Sequence, residues 1–562
     1  MVCTVVIFRP MKRDLQAMGR KTYDVVIVGC GIYGAFAARE AAMRGLSAAV
    51  IDRKDFCGAT SSNSLKIIHG GLRYLQQLDF LRVVESAKER KNLMRIAPHL
   101  IHPLPSAMPT RGLFMRSKLV MFAGMLLNDL LTAGRNRHID PEKNIPSGYV
   151  VSRDEFMQLV PGVTDSRYDG AAVWCDALAY STERLVISAV KAAVQAGADA
   201  ANYAEAVRFL LNGKKVTGVV VKDVISGDEI TIKSKLVINN TGPWSNEVLS
   251  LLEESVTMPV SGLALELNFV LKRQLLKSHA VGLVGYRKAD AKERLLFFVP
   301  WHGVTMVGTY CRLHAGRVER IQVMDQDIDS FIEDVNNAFP SADITRKDIA
   351  LVHAGLLPIE AGSEMWPEPE PLRHYKLIDH GKKDGIEGMF TVLGVKYTTA
   401  RDVAEKTINK VLRKLGKWRG FASQSNSTPL PGGDIPDFRQ FVSEAKAASP
   451  KELNDASMTN LLYCYGTEYK AILDMSLVDG ELLKVISSGS CIIGAEVVNA
   501  VRNEMALNLG DVVFRRVDIG SAGMPDEDTL RACAKLMARE LSWDKAKIEK
   551  EIIRVKSEVL KV

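Results

Sequence analysis

No two cysteines in this 562-residue chain stand in a Cys-x-x-Cys pair. The eight present (Cys3, Cys30, Cys57, Cys175, Cys311, Cys464, Cys491 and Cys533) are irregularly spaced. That argues against a zinc site, an iron–sulfur cluster and a disulfide scaffold, and favours small buried thiols in a reducing compartment. No metal is expected. The chain also lacks an uncharged apolar run of about 18 residues, the length a membrane span needs. The nearest stretch, residues 113–132, carries Arg116, Lys118 and Asp129. It reads as a helix that is either buried or laid on a membrane surface. A large excess of one charge is absent too: the net charge is +7, spread along the chain. So mild an excess suits an anionic small molecule or membrane surface, and no nucleic-acid motif accompanies it. Residues 1–20 read as a basic extension whose apolar run, 5–8, is too short for a signal-peptide core. Met11 or Met18 is an alternative start. The expected location is cytoplasmic, with peripheral contact to the cytoplasmic face of the membrane left open. Oligomeric state is left open as well, a homodimer included.

What is present is patterned for several domains. Hydrophobic residues make up 47% of the chain, and at about 150 residues per domain two to four are expected. Residues 23–28 form a short β-branched run and predict a buried strand. An alanine-rich helix over 35–44 follows, closed by Gly45, and a second strand over 47–51 ends in Asp52. Helices are expected over 81–96 and 185–197, strands over 216–222, 229–232, 236–239 and 389–393, and another helix over 400–415. From about 258 to 309 the strands look antiparallel. Residues 421–436 are rich in Ser, Pro and Gly and read as a linker. The remainder reads as helical.

The loop between the first strand and helix is Gly29-Cys30-Gly31-Ile32-Tyr33-Gly34. Gly29 permits the tight turn, Gly31 lets the backbone approach a pyrophosphate, and Gly34 lets the helix pack on the sheet. A helix N-terminus offers N–H groups and a positive dipole end to phosphates. Asp52 is placed to accept hydrogen bonds from a ribose. Together these predict dinucleotide binding. The next segment, Gly58 to Leu75, contains Thr60-Ser61-Ser62-Asn63-Ser64 and His69-Gly70-Gly71-Leu72-Arg73-Tyr74. A hydroxyl-rich loop and a glycine pair at this point suit FAD rather than NAD.

This segment resembles the signature of the flavin-dependent glycerol-3-phosphate dehydrogenase family, roughly G-T-S-S-x-S-x-K-L-I-H-G-G-L-R-Y-L. The resemblance continues at Phe297-Phe298-Val299-Pro300-Trp301, Gly308-Thr309, Gly394-x-Lys396-x-Thr398-Thr399-x-Arg401, Glu504-Met505-Ala506 and Asp511-Val512-Val513-x-Arg515-Arg516. It implies an α/β fold with an FAD-binding Rossmann-like domain of the glutathione-reductase type, an inserted antiparallel-sheet substrate domain and a C-terminal all-helical domain. The expected bounds are 21–255 with 350–420 for FAD binding, 256–349 for the substrate sheet and 437–562 for the helices. It further implies that Gly29, Gly31, Ile32, Tyr33, Gly34, Asp52, Thr60, Ser61, Ser64, Lys66, Ile68, His69, Gly70, Val207, Thr241, Gly242, Trp244, Gly394, Lys396, Tyr397 and Thr398 hold FAD. Arg73, Tyr74, Arg373, Lys396 and Thr398 would face the substrate, with His69, Arg73 and Lys396 in the catalytic set. Glu504, Arg515 and Arg516 are expected to pair within the helical domain.

These types suit alcohol oxidation, in which a hydride goes to the flavin and the hydroxyl proton leaves. The site needs a base, and positive charge where alkoxide develops. His69 has the ordinary pKa nearest neutrality, and arginine's planar fork matches phosphate. The implied activity is FAD-dependent oxidation of sn-glycerol 3-phosphate to dihydroxyacetone phosphate, with a quinone as acceptor. Two positions depart from the family. Its G-x-R-P-L has Leu357 for arginine, and its K-G-x-H matches Ser261-Gly262-Leu263-Ala264. His353, Arg312, Glu266 and Asn268 are candidates to compensate. The alternatives are a dehydrogenase or oxidase of another polyol phosphate or hydroxy compound, and a non-catalytic flavin-binding subunit.

Overall fold

The computed structural model describes residues 9–112, 114–163, 165–286, 293–363, 369–417 and 422–558. Its first sheet forms around the strand Thr22–Val28, buried at six of seven positions. Continuous burial of this kind marks a parallel strand covered on both faces. Thr22–Val28 pairs in parallel with Ala48–Ile51 on one side and Glu229–Asn239 on the other. Asp199–Ala201 extends the sheet beyond Ala48–Ile51, and Met389–Leu393 and Lys376–Asp379 extend the opposite edge. The expected strands over 229–232 and 236–239 are one strand, Glu229–Asn239. The helix Ile32–Met43 buries Ala35, Ala37, Ala38, Ala41 and Ala42. These small side chains let it pack closely with Thr182–Gln195 and Ala400–Lys414.

The second sheet corrects the expected domain bounds. It orders Ile349–Pro358, Leu263–Leu271, Val304–Leu313, Glu293–Trp301, Ala280–Tyr286, Ile101–Thr110, Gly170–Ala179 and Ile67–Ile68, with Tyr149–Ser152 also on Gly170–Ala179. Four strands therefore come from before residue 256 and one runs past 349. Gly170–Ala179 is the reason: Ile101–Thr110 pairs with it from Ile101↔Ala179 to Thr110↔Gly170. Ladder pairing of this range leaves no local mark in sequence.

The C-terminal part contains helices including Asp455–Tyr465, Gly494–Glu504, Glu527–Leu541 and Lys545–Glu558. The described part of the expected linker is packed rather than free. Arg39 donates to the carbonyls of Ser425 (2.9 Å) and Thr428 (2.6 Å), and Leu430 N–H donates to Ile96 O at 2.8 Å. Phe421 lies outside the described residues, as does Cys3. The seven described cysteines are free, and no metal-ligand cluster occurs among the described residues.

Glu504, Arg515 and Arg516 do not pair only within the helical domain. Glu504 receives Arg184 at 2.6 Å and Lys191 at 3.3 Å, while Asp55 receives Arg515 at 2.6 Å and Arg516 at 2.8 Å. All of these side chains are buried or nearly so. They weld the C-terminal helices to the first domain.

The helix Lys118–Leu131, capped by Ser117, has one buried residue, Met125. Leu119 is 77% exposed and Leu130 74%, with Phe122 and Leu126 also exposed. The buried-helix option for 113–132 is therefore overturned for its described residues; Leu113 lies outside them. Among the described residues no helix is long and apolar enough to cross a membrane.

Candidate active site

A cavity of about 1230 Å³ opens where the C-terminal ends of the first sheet's strands meet the second sheet. Ligands of open α/β sheets bind in this position. Val28, Gly29 and Gly31 line it from one side, and Glu266, Asn268, Thr309 and Leu357 from the other.

Each glycine of the first loop has its own steric reason. Gly29 has φ +96°, and a Cβ there would stand 2.7 Å from Asn240 O. A Cβ on Gly31 would meet Ser61 Oγ at 2.9 Å, and one on Gly34 would fall 1.9 Å from Gly29 O. Asp52 holds this loop from below. It accepts from Cys30 N–H at 2.7 Å and Lys54 N–H at 2.9 Å. Burial raises its pKa to about 6 against those two donors. Ser61 Oγ accepts from Ile32 N–H at 3.0 Å, and Thr60 donates to Leu356 O at 2.9 Å, tying the hydroxyl-rich loop to the second sheet.

A distant loop closes the opposite wall. Tyr33 donates its hydroxyl to Lys396 O at 2.8 Å and accepts from Lys396 N–H at 3.2 Å. A Cβ on Gly394 would enter the Tyr33 ring at 2.1 Å, so only glycine fits. The Lys396 ammonium lies 4.1 Å from the centre of the Tyr74 ring. Burial, and then the Arg82 charge, lower its pKa to about 8. Burial likewise brings His69 down to about 4; Asp176 opposes the shift, and Lys396, Arg90 and Arg82 add to it. At neutral pH this imidazole is uncharged. Asp176 is itself held by Arg90 at 3.0 Å, Gly70 N–H at 2.5 Å and Trp174 Nε1–H at 2.8 Å.

Of the expected residues, Gly29, Gly31, Ile32, Tyr33, Asp52, Thr60, Ser61, Ser64, His69, Arg73, Tyr74, Thr241, Gly242, Trp244, Gly394, Lys396, Tyr397 and Thr398 line this one cavity. Gly34 acts by packing. Besides Gly34, four expected cofactor residues are not in the lining. Lys66 is buried in an ion pair with Glu183 at 2.5 Å and also donates to Thr182. Ile68 is fully buried in the core. Gly70 abuts the Arg90 guanidinium. Val207 yields to Glu205 and Ala206, its strand neighbours. Arg373 reaches the rim, but its exposed guanidinium pairs with Glu370 at 2.6 Å rather than pointing at a substrate. Of the four candidate compensators, Glu266 and Asn268 line the cavity. His353 is buried outside the lining, and Arg312 is taken up by Asp327 at 2.6 Å. Leu357 is in the wall; Ala264, opposite it in the ladder, is fully buried. Sequence reasoning missed Arg82, whose guanidinium lies 4.0 Å from the Tyr74 ring centre, and Arg53, 4.8 Å from that of Trp244. Arg53's position directly after Asp52 was the available signal.

The donor set fits FAD. Asn240 (both amide atoms), Trp244 Nε1 and Thr398 Oγ1 are buried, line the cavity and have no hydrogen-bond partner among the described residues. Buried polar atoms of this kind call for a polar ligand. Gly29 and Gly31 leave the close backbone approach that a pyrophosphate needs.

The comparisons with known proteins agree. Residues 24–382 match the family described as FAD dependent oxidoreductase, and residues 423–548 match the C-terminal domain of alpha-glycerophosphate oxidase. The chain is 31% identical to a glycerol-3-phosphate dehydrogenase of Synechocystis sp., covering 96% of this chain and 97% of that protein. It is 28% identical to the mitochondrial glycerol-3-phosphate dehydrogenase of Bos taurus, over 97% of this chain and 74% of that one. Its fold matches the Bacillus halodurans glycerol-3-phosphate dehydrogenase complexed with FAD, with a TM-score of 0.76 at 22% identity over 97% and 96% of the two chains.

Proposed function

This chain belongs to the FAD-dependent glycerol-3-phosphate dehydrogenase family of FAD dependent oxidoreductases, and from that premise we propose that it oxidises sn-glycerol 3-phosphate to dihydroxyacetone phosphate and passes the electrons to a quinone. Bound FAD supplies a two-electron acceptor for the carbinol hydride. The carrying observation is the cluster of Arg73, Lys396 and His69 in the wall of the cavity that the glycine loop opens into. Arg73 is exposed to the cavity and offers a bidentate fork to the substrate phosphate. Lys396 places positive charge where the alkoxide develops. His69, uncharged at neutral pH, can donate its ring N–H to the hydroxyl oxygen and orient it.

The route to a lipid-soluble acceptor lies beside the cavity mouth. Met115, Val120, Met121 and Leu127 line the cavity, while Leu119, Phe122, Leu126 and Leu130 of the same segment are exposed. An amphipathic helix with such a face rests on a membrane with its apolar residues among the acyl chains. Peripheral membrane contact through this helix follows. The test is co-sedimentation with anionic phospholipid vesicles: the wild type should pellet, and Leu119→Glu with Phe122→Glu should stay in the supernatant.

Anaerobic titration tests the substrate. Glycerol 3-phosphate should bleach the flavin absorbance, with reoxidation by a soluble quinone and little peroxide in air. Leu357 supports a second reading, a larger or less charged hydroxy compound against an apolar wall. Bleaching by such a compound and not by glycerol 3-phosphate would select it.

A further inference from the structure

Leu357 stands where the family pattern has arginine, and the neighbouring rung of the sheet carries a carboxyl group. Leu263–Leu271 pairs antiparallel with Ile349–Pro358, Ala264 opposite Leu357 and Glu266 opposite Gly355. Directly opposed residues, and residues two apart along a strand, share one face. Glu266 thus stands on the face of Leu357 and Asn268, and all three line the cavity. Gly355 places no side chain opposite Glu266; a Cβ there would press on the Thr60 methyl at 3.1 Å. Across the other ladder Glu266 faces Cys311.

Glu266 and Asn268 differ in their bonding. The Asn268 amide donates to Asn63 O at 3.1 Å and its carbonyl accepts from the Thr309 hydroxyl at 3.3 Å. Its job is to hold the hydroxyl-rich loop. The Glu266 carboxyl has no side-chain hydrogen bond or ion pair among the described residues. Burial pushes it up to about 7, and the Arg73 charge opposes the shift. An unpartnered carboxyl in a cavity wall costs stability, and such groups concentrate where chemistry needs them.

We propose that Glu266 is the proton acceptor of the reaction. The proposal rests on the reading of this chain as an alcohol-oxidising flavoprotein. As the carbinol C–H bond breaks, the hydrogen leaves with its electron pair as hydride to bound FAD. The O–H bond breaks with it; its proton passes to the Glu266 carboxylate and its electron pair closes the carbonyl. Water at the open mouth then takes the proton. Burial lowers the His69 imidazole and raises the Glu266 carboxyl, so His69 is the weaker base, and a general base works best when its pKa is near the operating pH.

The experiment uses the FAD-loaded enzyme with Glu266→Gln and Glu266→Asp. Anaerobic flavin reduction by glycerol 3-phosphate should slow by about 100-fold or more in Glu266→Gln and by less in Glu266→Asp, with FAD content unchanged in both. A second readout needs no turnover. Sulfate, which does not titrate near neutrality, is bound while the flavin absorbance is followed from about pH 5.5 to 8. In the wild type sulfate affinity should fall through about pH 7 as Glu266 gains its charge, and this step should vanish in Glu266→Gln. A Glu266→Gln reduction rate within about threefold of wild type, or superimposable sulfate profiles, overturns the proposal. If another alcohol bleaches the wild-type flavin and glycerol 3-phosphate does not, the substrate reading fails alone, and the same variants with that alcohol decide on Glu266. If no alcohol bleaches it, both fall.

Discussion

At the seam with the C-terminal helices, Asp55 receives two guanidinium groups within 2.8 Å and Glu504 receives Arg184 at 2.6 Å; in the cavity wall, Glu266 and Lys396 form no ion pair among the described residues. Both regions draw charge out of water. At the seam, burial would raise Asp55 and Glu504, but the arginines, joined by Lys191 at Glu504, overcome it and hold each at about 2. In the cavity burial prevails, moving Glu266 up to about 7 and Lys396 down to about 8. Paired groups are locked in one ionisation state and serve as joints. Unpaired groups near neutrality are free to exchange a proton or take up a ligand's charge.

The strongest way to break this comparison is at the seam. Arg184→Met leaves the buried Glu504 carboxylate only its longer contact to Lys191 and should cost about 3–5 kcal/mol of stability, read by urea unfolding. A loss under ~1 kcal/mol would show that the seam is not a joint. The cavity should behave in the opposite way. Lys396→Met should slow flavin reduction by about 100- to 1000-fold while the unfolding midpoint stays near wild type, and Lys396→Arg should restore part of the rate. A large stability loss in Lys396→Met would merge the two regions.

Acid gives the next effect. Glu504 is depressed in the folded state, so its contribution is fully present above its unfolded pKa of about 4.3. It is lost as pH falls toward about 2, roughly 3 kcal/mol in all. Wild-type stability should therefore decline below about pH 4, and Arg184→Met should show a shallower decline. The smallest effect is expected at the rim. Arg373 is exposed and paired with Glu370, and exposed pairs contribute about 0–1 kcal/mol. Arg373→Ala should change the KM for glycerol 3-phosphate by less than about fivefold. A tenfold rise would return this arginine to the substrate.

Much of the cofactor site was legible because its requirements are local. Gly29, Gly31 and Gly34 are dictated by atoms within one turn and its neighbouring loops. Lys396 and Thr398, named by resemblance, line the cavity, although the Tyr33 hydroxyl that holds their loop is 363 residues away. Misplacements fell where contacts are remote. Lys66 sits within the cofactor segment, yet its side chain turns to Glu183. Arg515 and Arg516 look like an intradomain pair until Asp55, 460 and 461 residues away, is brought against them.

By itself the sequence determined the FAD-binding loop, the Rossmann-like core and the helical character of the C-terminal part, because turn geometry, burial periodicity and glycine sterics act over a few residues. Only the tertiary structure decided which charges are joints and which are free. It also decided that Gly170–Ala179 belongs to the second sheet, that Lys118–Leu131 shows its apolar face to the outside, and that Glu266 stands beside Leu357. The physical reason is the same each time. Ladder register and ion pairing join residues far apart in the chain, and whether a carboxyl is paired or left facing a cavity depends on the partner that folding brings to it.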